Sequence, residues 1–170
     1  MKIKYQNILI REANIDDVKI LYNWWRDGNI MAHAGFPDGL DITIEEIKKQ
    51  IINNQDSLRH MILFDDQYIG EMVYYLIDDD TCEIGIKICD CNYQNKGLGK
   101  IILSLFIQEL FTIGYQKIIL DTSIDNNRAL HVYQQLGFKK IKEELETVYL
   151  ELIKDNFVSY VTNNSAGKSK

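Results

Sequence analysis

A chain of 170 residues with 46% hydrophobic content can close one sizeable core but is short for two, so a single domain over residues 1–155 with a partly disordered C-terminal extension over 156–170 is expected. The formal net charge of −6 argues against nucleic acid as a partner, because duplexes select a basic face. Cationic small molecules suit it better, although an acidic balance also serves plain solubility.

Residues 1–7 lack the apolar run of a signal peptide, and no segment approaches the length of a membrane span; a cytoplasmic protein without membrane contact is expected. Residues 8–11 read as a first strand. Asn14 with Asp17 three positions on then marks a helix start leading into Val18, Leu21, Tyr22 and Trp25, with an end before Gly28. A loop carrying Gly35, Pro37 and Gly39 follows, whose length and glycines suggest a mobile binding segment. Thr43 and Glu46 form a capping box for a second helix with Ile44, Ile47 and Ile51 on one face.

Strand signals come next at 61–64, 68–76 and 82–89, separated by turn-forming aspartates, and they suit an antiparallel meander. The strand pattern of 83–88 then meets a long helical pattern (Leu98, Ile101, Ile102, Leu105, Phe106, Leu110) at Gly97 and Gly99. Without a Cβ these glycines let an anion approach the backbone, and the free N–H groups of a first helical turn point at it. Lys96 and Lys100 add charge. Taken alone, a glycine pair between strand and helix is more often a tight turn, and neither the Rossmann fingerprint nor the ATP-type P-loop is complete here. A short strand at 117–121 can run parallel to its predecessor through the helical crossover. A further helix from Asn126 and two closing strands, near 138–141 and 147–150, complete the core; the final residues 163–170 read as a disordered tail.

The three cysteines, Cys82, Cys89 and Cys91, offer no Cys-x-x-Cys pair. They support neither a disulfide framework nor a zinc site, and His33, His60 and His131 are too scattered to suggest a metal or a nucleophilic triad. No metal is expected.

Gln94, Gly97 and Gly99, followed by Asn126, Ala129, Tyr133, Gly137 and Phe138 at their spacing, resemble the two motifs of the GNAT superfamily of acetyl-coenzyme A dependent N-acetyltransferases. The resemblance spans residues 11–152 in element order. It implies an α/β (α+β) fold with a mixed sheet of six to seven strands, mostly antiparallel with a splayed parallel pair, flanked by about four helices. It implies acetyl-coenzyme A as co-substrate, its pyrophosphate cradled by Asn95, Lys96, Gly97, Leu98, Gly99 and Lys100 beside Gln94. Backbone N–H groups around Ile88 and Cys89 would polarise the carbonyl, and Asn126 would contact the pantetheine amides. Cys91 stands where many relatives place a proline, which leaves the cradle geometry open.

The resemblance also implies catalytic roles. Glu83 stands eleven residues before Gln94, where the histone-acetylating branch carries its glutamate; Glu71 on the preceding strand, or water, is the alternative base. Tyr133, seven residues after Asn126, falls where related enzymes place a tyrosine near the sulfur. Gly137 and Phe138 read as structural, a glycine helix cap and a buried ring. For the acceptor, Trp25 in the first helix and Asp121 before Asn126 resemble features of aminoglycoside 6′-N-acetyltransferases, and Asp121 could hold an ammonium. Both also read as a core aromatic and a strand-end polar group. The first half is more loosely similar to ribosomal-protein N-terminal acetyltransferases. A small cationic amine, an aminoglycoside ahead of a polyamine, is thus expected as acceptor of a monomer or homodimer, with a peptide N-terminus as alternative and a non-catalytic acetyl-coenzyme A sensor as a third reading.

Overall fold

The computed structural model describes residues 1–161. A single mixed sheet holds eight strands in the order β1-β2-β3-β4-β5-β6-β8-β7: β1 (Lys2–Tyr5), β2 (Ile8–Glu12), β3 (Ser57–Phe64), β4 (Gln67–Leu76), β5 (Thr81–Ile88), β6 (Lys117–Ser123), β7 (Lys139–Glu144) and β8 (Thr147–Ile153). All neighbours are antiparallel except β5 and β6. The eighth strand corrects the expected six or seven. The extra one is β1, a four-residue edge strand with Lys2 and Lys4 exposed and one half-buried face; so short an alternation carries little signal, and edge strands favour lysine.

Five α-helices flank the sheet: α1 (Val18–Arg26), α2 (Gly28–Met31), α3 (Ile44–Ile52), α4 (Leu98–Ile113) and α5 (Asn127–Leu136). Both expected capping boxes form, Asn14 with Asp17 and Thr43 with Glu46. The unexpected helix, α2, is one turn capped by the Asp27 side chain, too short for hydrophobic periodicity to reveal. Asp17 does more than cap: fully buried, it takes two hydrogen bonds from Arg11 at 2.7 and 2.8 Å and one from Tyr68 at 3.0 Å. These tie the start of α1 to β2 and β4. The loop after α2 is anchored to the end of α1, because Leu40 N–H donates to the Trp25 carbonyl at 2.6 Å and a Cβ on Gly39 would stand 2.2 Å from the Arg26 carbonyl oxygen.

Each sheet face carries its own core. On one side Ile102, Phe106, Leu110 and Leu136 pack on Ile84, Ile118 and Leu150; on the other Leu21, Trp25 and Ile47 pack on Met61 and Leu63. Helix α4 is apolar nearly all round, which a one-sided surface helix cannot be. Residues 157–160 pack along its outer side. Phe157 packs edge-on to Phe111 at 5.6 Å, Val158 N–H donates to the Leu136 carbonyl at 3.0 Å, and Tyr160 N–H donates to Ser104 Oγ at 3.1 Å. Residues 156–161 of the expected extension are therefore packed onto the domain; residues 162–170, where the expected disordered tail falls, lie outside the described residues.

Candidate active site

The site is organised by a parting of strands. Parallel pairing of β5 with β6 runs only through Thr81↔Lys117, Cys82↔Ile118 and Glu83↔Ile119; beyond Glu83 the two diverge while each stays paired to its outer neighbour. Cys89 N–H donates to the Ile69 carbonyl at 2.8 Å. Backbone polar groups alternate along an antiparallel strand, so in the β4–β5 register those of Lys87 face β4, and those of Ile86 and Ile88 face away from it, into the gap. The Ile88 carbonyl duly accepts from Gln94 Nε2 at 2.8 Å. The expectation of backbone donors around Ile88 thus has a geometric basis. Cys89 differs: its N–H is committed to β4, and its buried thiol belongs to the core beneath α1.

At the gap's mouth, the loop from Asp90 runs into α4. Asn95 and Gly97 both adopt left-handed conformations, at φ 60° and 75°, which turn the chain so that the free N–H groups of Leu98, Gly99 and Lys100 face outward. A Cβ built on Gly97 or Gly99 meets nothing within 4 Å. The space the glycines leave is filled by no other described residue, as a cradle for an outside ligand requires. Gln94 is a staple between this loop and β5. Three cations surround the cradle. Lys96 lies over the Tyr93 ring at 5.7 Å, Lys100 lies over Tyr160 at 3.9 Å and donates to Gln135 Oε1 at 3.2 Å, and Arg128 donates to Asn95 Oδ1. Arg128 escaped the sequence reading although it lies inside the second motif; an arginine two residues after a helix cap has no distinctive spacing. Pyrophosphate chemistry fits such a set of backbone donors and cations.

Asn126 caps α5: its Oδ1 accepts from Ala129 N–H at 3.2 Å and its Nδ2 donates to Thr122 Oγ1 at 3.3 Å. One amide hydrogen remains for a ligand. Tyr133, about two turns on, is 8% exposed, and its ring meets Phe138 edge-on at 5.6 Å. Burial, aided by the charge of Asp121, pushes its hydroxyl up to about 12. The Glu83 carboxyl is raised above the ordinary carboxylate value, first by burial and then by Asp121. The charge of Asp121 thus acts on both Glu83 and Tyr133. Asp121 itself is exposed on β6.

Trp25 and Glu71 stand together further along the sheet, Glu71 lying on β4 four residues before Tyr75, the partner of Glu83. Glu71 is 3% exposed and accepts from Trp25 Nε1 at 2.7 Å, from Arg59 and, at 3.5 Å, from Lys87. Arg59 stacks on Trp25 with its guanidinium 4.5 Å from the ring centre. These groups wall a cavity of about 320 Å³ that reaches Tyr75, Gly85 and Ile86 on the sheet and Met31, Leu40 and Ile42 from the helical side. Arg59 and Lys87 were not foreseen; nothing local distinguishes a strand lysine or arginine until its neighbours are known. All three cysteines are free, and no group of three or more metal-ligating side chains occurs among the described residues.

Residues 18–138 match the model of the acetyltransferase (GNAT) family. The chain belongs to that family. It is an acetyl-coenzyme A dependent N-acetyltransferase. It is 26% identical over 147 residues to the uncharacterized N-acetyltransferase YnaD of Bacillus subtilis, covering 82% of this chain and 84% of that one. Human N-acetyltransferase 8 is 21% identical over 147 residues, which cover 81% of this chain and 65% of the human protein. Among solved structures, the spermidine N-acetyltransferase from Vibrio cholerae, in complex with CoA and spermine, superposes with a TM-score of 0.78 at 19% identity, covering 89% of this acetyltransferase and 98% of that chain. The aminoglycoside acetyltransferase AAC(6′)-Ib in complex with coenzyme A gives 0.73 at 18% identity, covering 88% and 96%. At these identities the likeness to solved structures concerns the fold.

Proposed function

We propose that this acetyltransferase moves the acetyl group of acetyl-coenzyme A to the primary amine of a small molecule seated in the Trp25–Glu71 cavity, by direct attack with both substrates bound. The observation that carries the reading is convergence. A glycine cradle, two outward backbone donors and a raised carboxyl meet at one strand gap, and the cavity opens on the same strand at Gly85 and Ile86.

When bound, the co-substrate supplies an activated acyl carbon with a thiolate leaving group. The residues Asn95 to Lys100, with Arg128, hold its anionic tail, and the remaining Nδ2 hydrogen of Asn126 serves an amide further along. The N–H groups of Ile86 and Ile88 are aimed where negative charge develops on the carbonyl oxygen. Glu83 receives the amine proton, directly or through water. Burial makes it a stronger base than an ordinary carboxylate, yet an aliphatic ammonium near 10 remains far weaker as an acid, so the amine attacks from its small neutral fraction; as the C–N bond forms and the C–S bond breaks, Glu83 takes the proton shed by the now cationic nitrogen and passes it to solvent. Glu71 is the poorer candidate base because both its oxygens are engaged. Tyr133, held protonated at neutral pH, donates a hydrogen bond toward the departing sulfur; with a hydroxyl near 12 against a thiol near 8.5, it steadies the thiolate and relays a proton from solvent.

The acidic edge formed by Glu83 and Asp121 suits the ammonium end of an acceptor, in keeping with the small cationic amines expected from the sequence. A cavity of about 320 Å³ is at the small end of ligand sites, which favours a small amine over an extended peptide N-terminus. Thiol release by the purified protein with acetyl-coenzyme A, measured against aminosugars, polyamines, amino acids and short peptides, tests this. Turnover of one or more small amines is expected. Turnover confined to peptides would sink the small-molecule reading, and tight co-substrate binding without turnover of any acceptor would favour a sensor.

A further inference from the structure

The charge inside the acceptor cavity is opposite in sign to that of the whole chain. Glu71 is the one carboxylate among its lining residues, against the two cations Arg59 and Lys87, so its wall carries a formal +1. Glu71 is also already satisfied. Its Oε1 takes the Trp25 indole at 2.7 Å and its Oε2 takes Arg59. Lys87 is left with the far contact to the same Oε1 at 3.5 Å and with the Met31 thioether, whose sulfur lies 2.9 Å from its Nζ. A thioether is a weak acceptor, and an ammonium has three donors to place. A half-buried cation so poorly partnered, beside a largely apolar space, is a binding group for an anion. An acceptor bearing positive charges alone would meet a positive wall that repels it.

One surplus charge matches one carboxylate. Phosphate would bring nearly two charges and favour a free arginine fork, whereas the Arg59 guanidinium is committed to Glu71 and to the Trp25 face. The remaining wall, with Trp25, Met31, Leu40, Ile42 and Val73, suits an apolar body. Gly85 and Ile86 line the same space, and Ile86 directs its N–H into the strand gap, so a ligand anchored at Lys87 can present its other end to the reacting centre.

We infer that the acceptor is amino-acid-like: a small molecule carrying a primary amine and a carboxylate on an apolar body, with Lys87 as the residue that selects the carboxylate. This rests on the acetyl transfer proposed above and names its substrate class. The test is thiol release on matched acceptors, comparing apolar amino acids and ω-amino acids with their carboxamides and their decarboxylated amines, with spermine and kanamycin alongside. The acids should exceed their uncharged or cationic counterparts by tenfold or more in kcat/KM, the scale of a charge-assisted contact. Lys87→Met should collapse that ratio toward one through KM, while Lys87→Arg should keep most of it. Equal or better turnover of the carboxamides, decarboxylated amines or spermine, or a ratio unmoved in Lys87→Met, would overturn the inference and leave acetyl transfer to amines intact. Absence of thiol release with every acceptor, despite bound acetyl-coenzyme A, would overturn both.

Discussion

Glu83 of β5 and Ile119 of β6 are the last residues in register before the parallel pair β5–β6 comes apart. Glu83 therefore stands at the apex of the gap, half in solvent, with Asp121 two residues beyond its partner. A carboxylate placed there is desolvated by the sheet and pressed by a like charge, and both effects favour its protonated form.

The acidic limb of the pH–rate profile should report this arrangement. As the proposed base, Glu83 would act only when ionised, and its folded-state value is raised, so kcat/KM should fall as pH drops through that raised value. In Glu83→Gln the limb should vanish along with most of the rate. In Asp121→Asn, which removes the like charge, the limb should move to lower pH. A profile unchanged by either substitution would reassign the base to water.

Gly99 offers a clean probe of the cradle. It has an ordinary helical φ and open space where a Cβ would stand, so Gly99→Val should fold with a melting temperature within a few degrees of the parent, valine and glycine being similarly poor helix formers to within about 0.5 kcal/mol. Yet its side chain would enter the ligand's space. Acetyl-coenzyme A affinity measured by calorimetry should fall at least about 100-fold, the loss expected when several charge-assisted bonds are blocked together. Undiminished affinity would move the pyrophosphate elsewhere.

Tyr133→Phe keeps the ring that packs on Phe138 and removes only the hydroxyl. Stability and co-substrate affinity should change little. Turnover under conditions where chemistry limits the rate should fall by about 10²-fold, the signature of a group acting in the transition state. An unchanged turnover would leave the thiolate to depart directly to solvent.

His60 predicts how the fold responds to acid. It is fully buried between Tyr74 and Phe106, its Nε2 has no partner among the described residues, and burial lowers its ring to about 4 from 6.5. The folded state holds it neutral, so the unfolded chain binds the extra proton. Its contribution is therefore intact above about pH 6.5 and is lost as pH falls from there toward 4. Linkage gives about 2 kcal/mol lost between pH 7 and pH 5. Urea unfolding of the parent and of His60→Phe should show that difference only in the parent; parallel pH dependences would mean that the imidazole is already protonated inside the fold.

Much of the fold is legible in local chemistry. Asn14 with Asp17 and Thr43 with Glu46 close their capping boxes where the residue pattern placed them, because a cap involves only groups three residues apart. Gly137 ends α5 in a left-handed turn as expected; the structure adds that a Cβ there would stand 2.1 Å from the Asn156 carbonyl oxygen. Glycine is thus required twice, once by its own backbone and once by a distant one that only the fold brings close.

The sequence by itself determined the family, the glycine turn at the start of α4 and the strand–helix–strand crossover that carries it, since these follow from short-range spacing and from the backbone freedom of two glycines. Only the tertiary structure decided what lines the cavity. Arg59, Glu71 and Lys87 lie on three successive strands, β3, β4 and β5, and become neighbours through register: Met61 opposite Glu71, Glu71 opposite Lys87. A slip of one residue would turn Glu71 to the opposite face. The net charge of −6 is a sum over the surface, whereas the cavity's positive sign comes from which three side chains the pairing of strands brings to one wall.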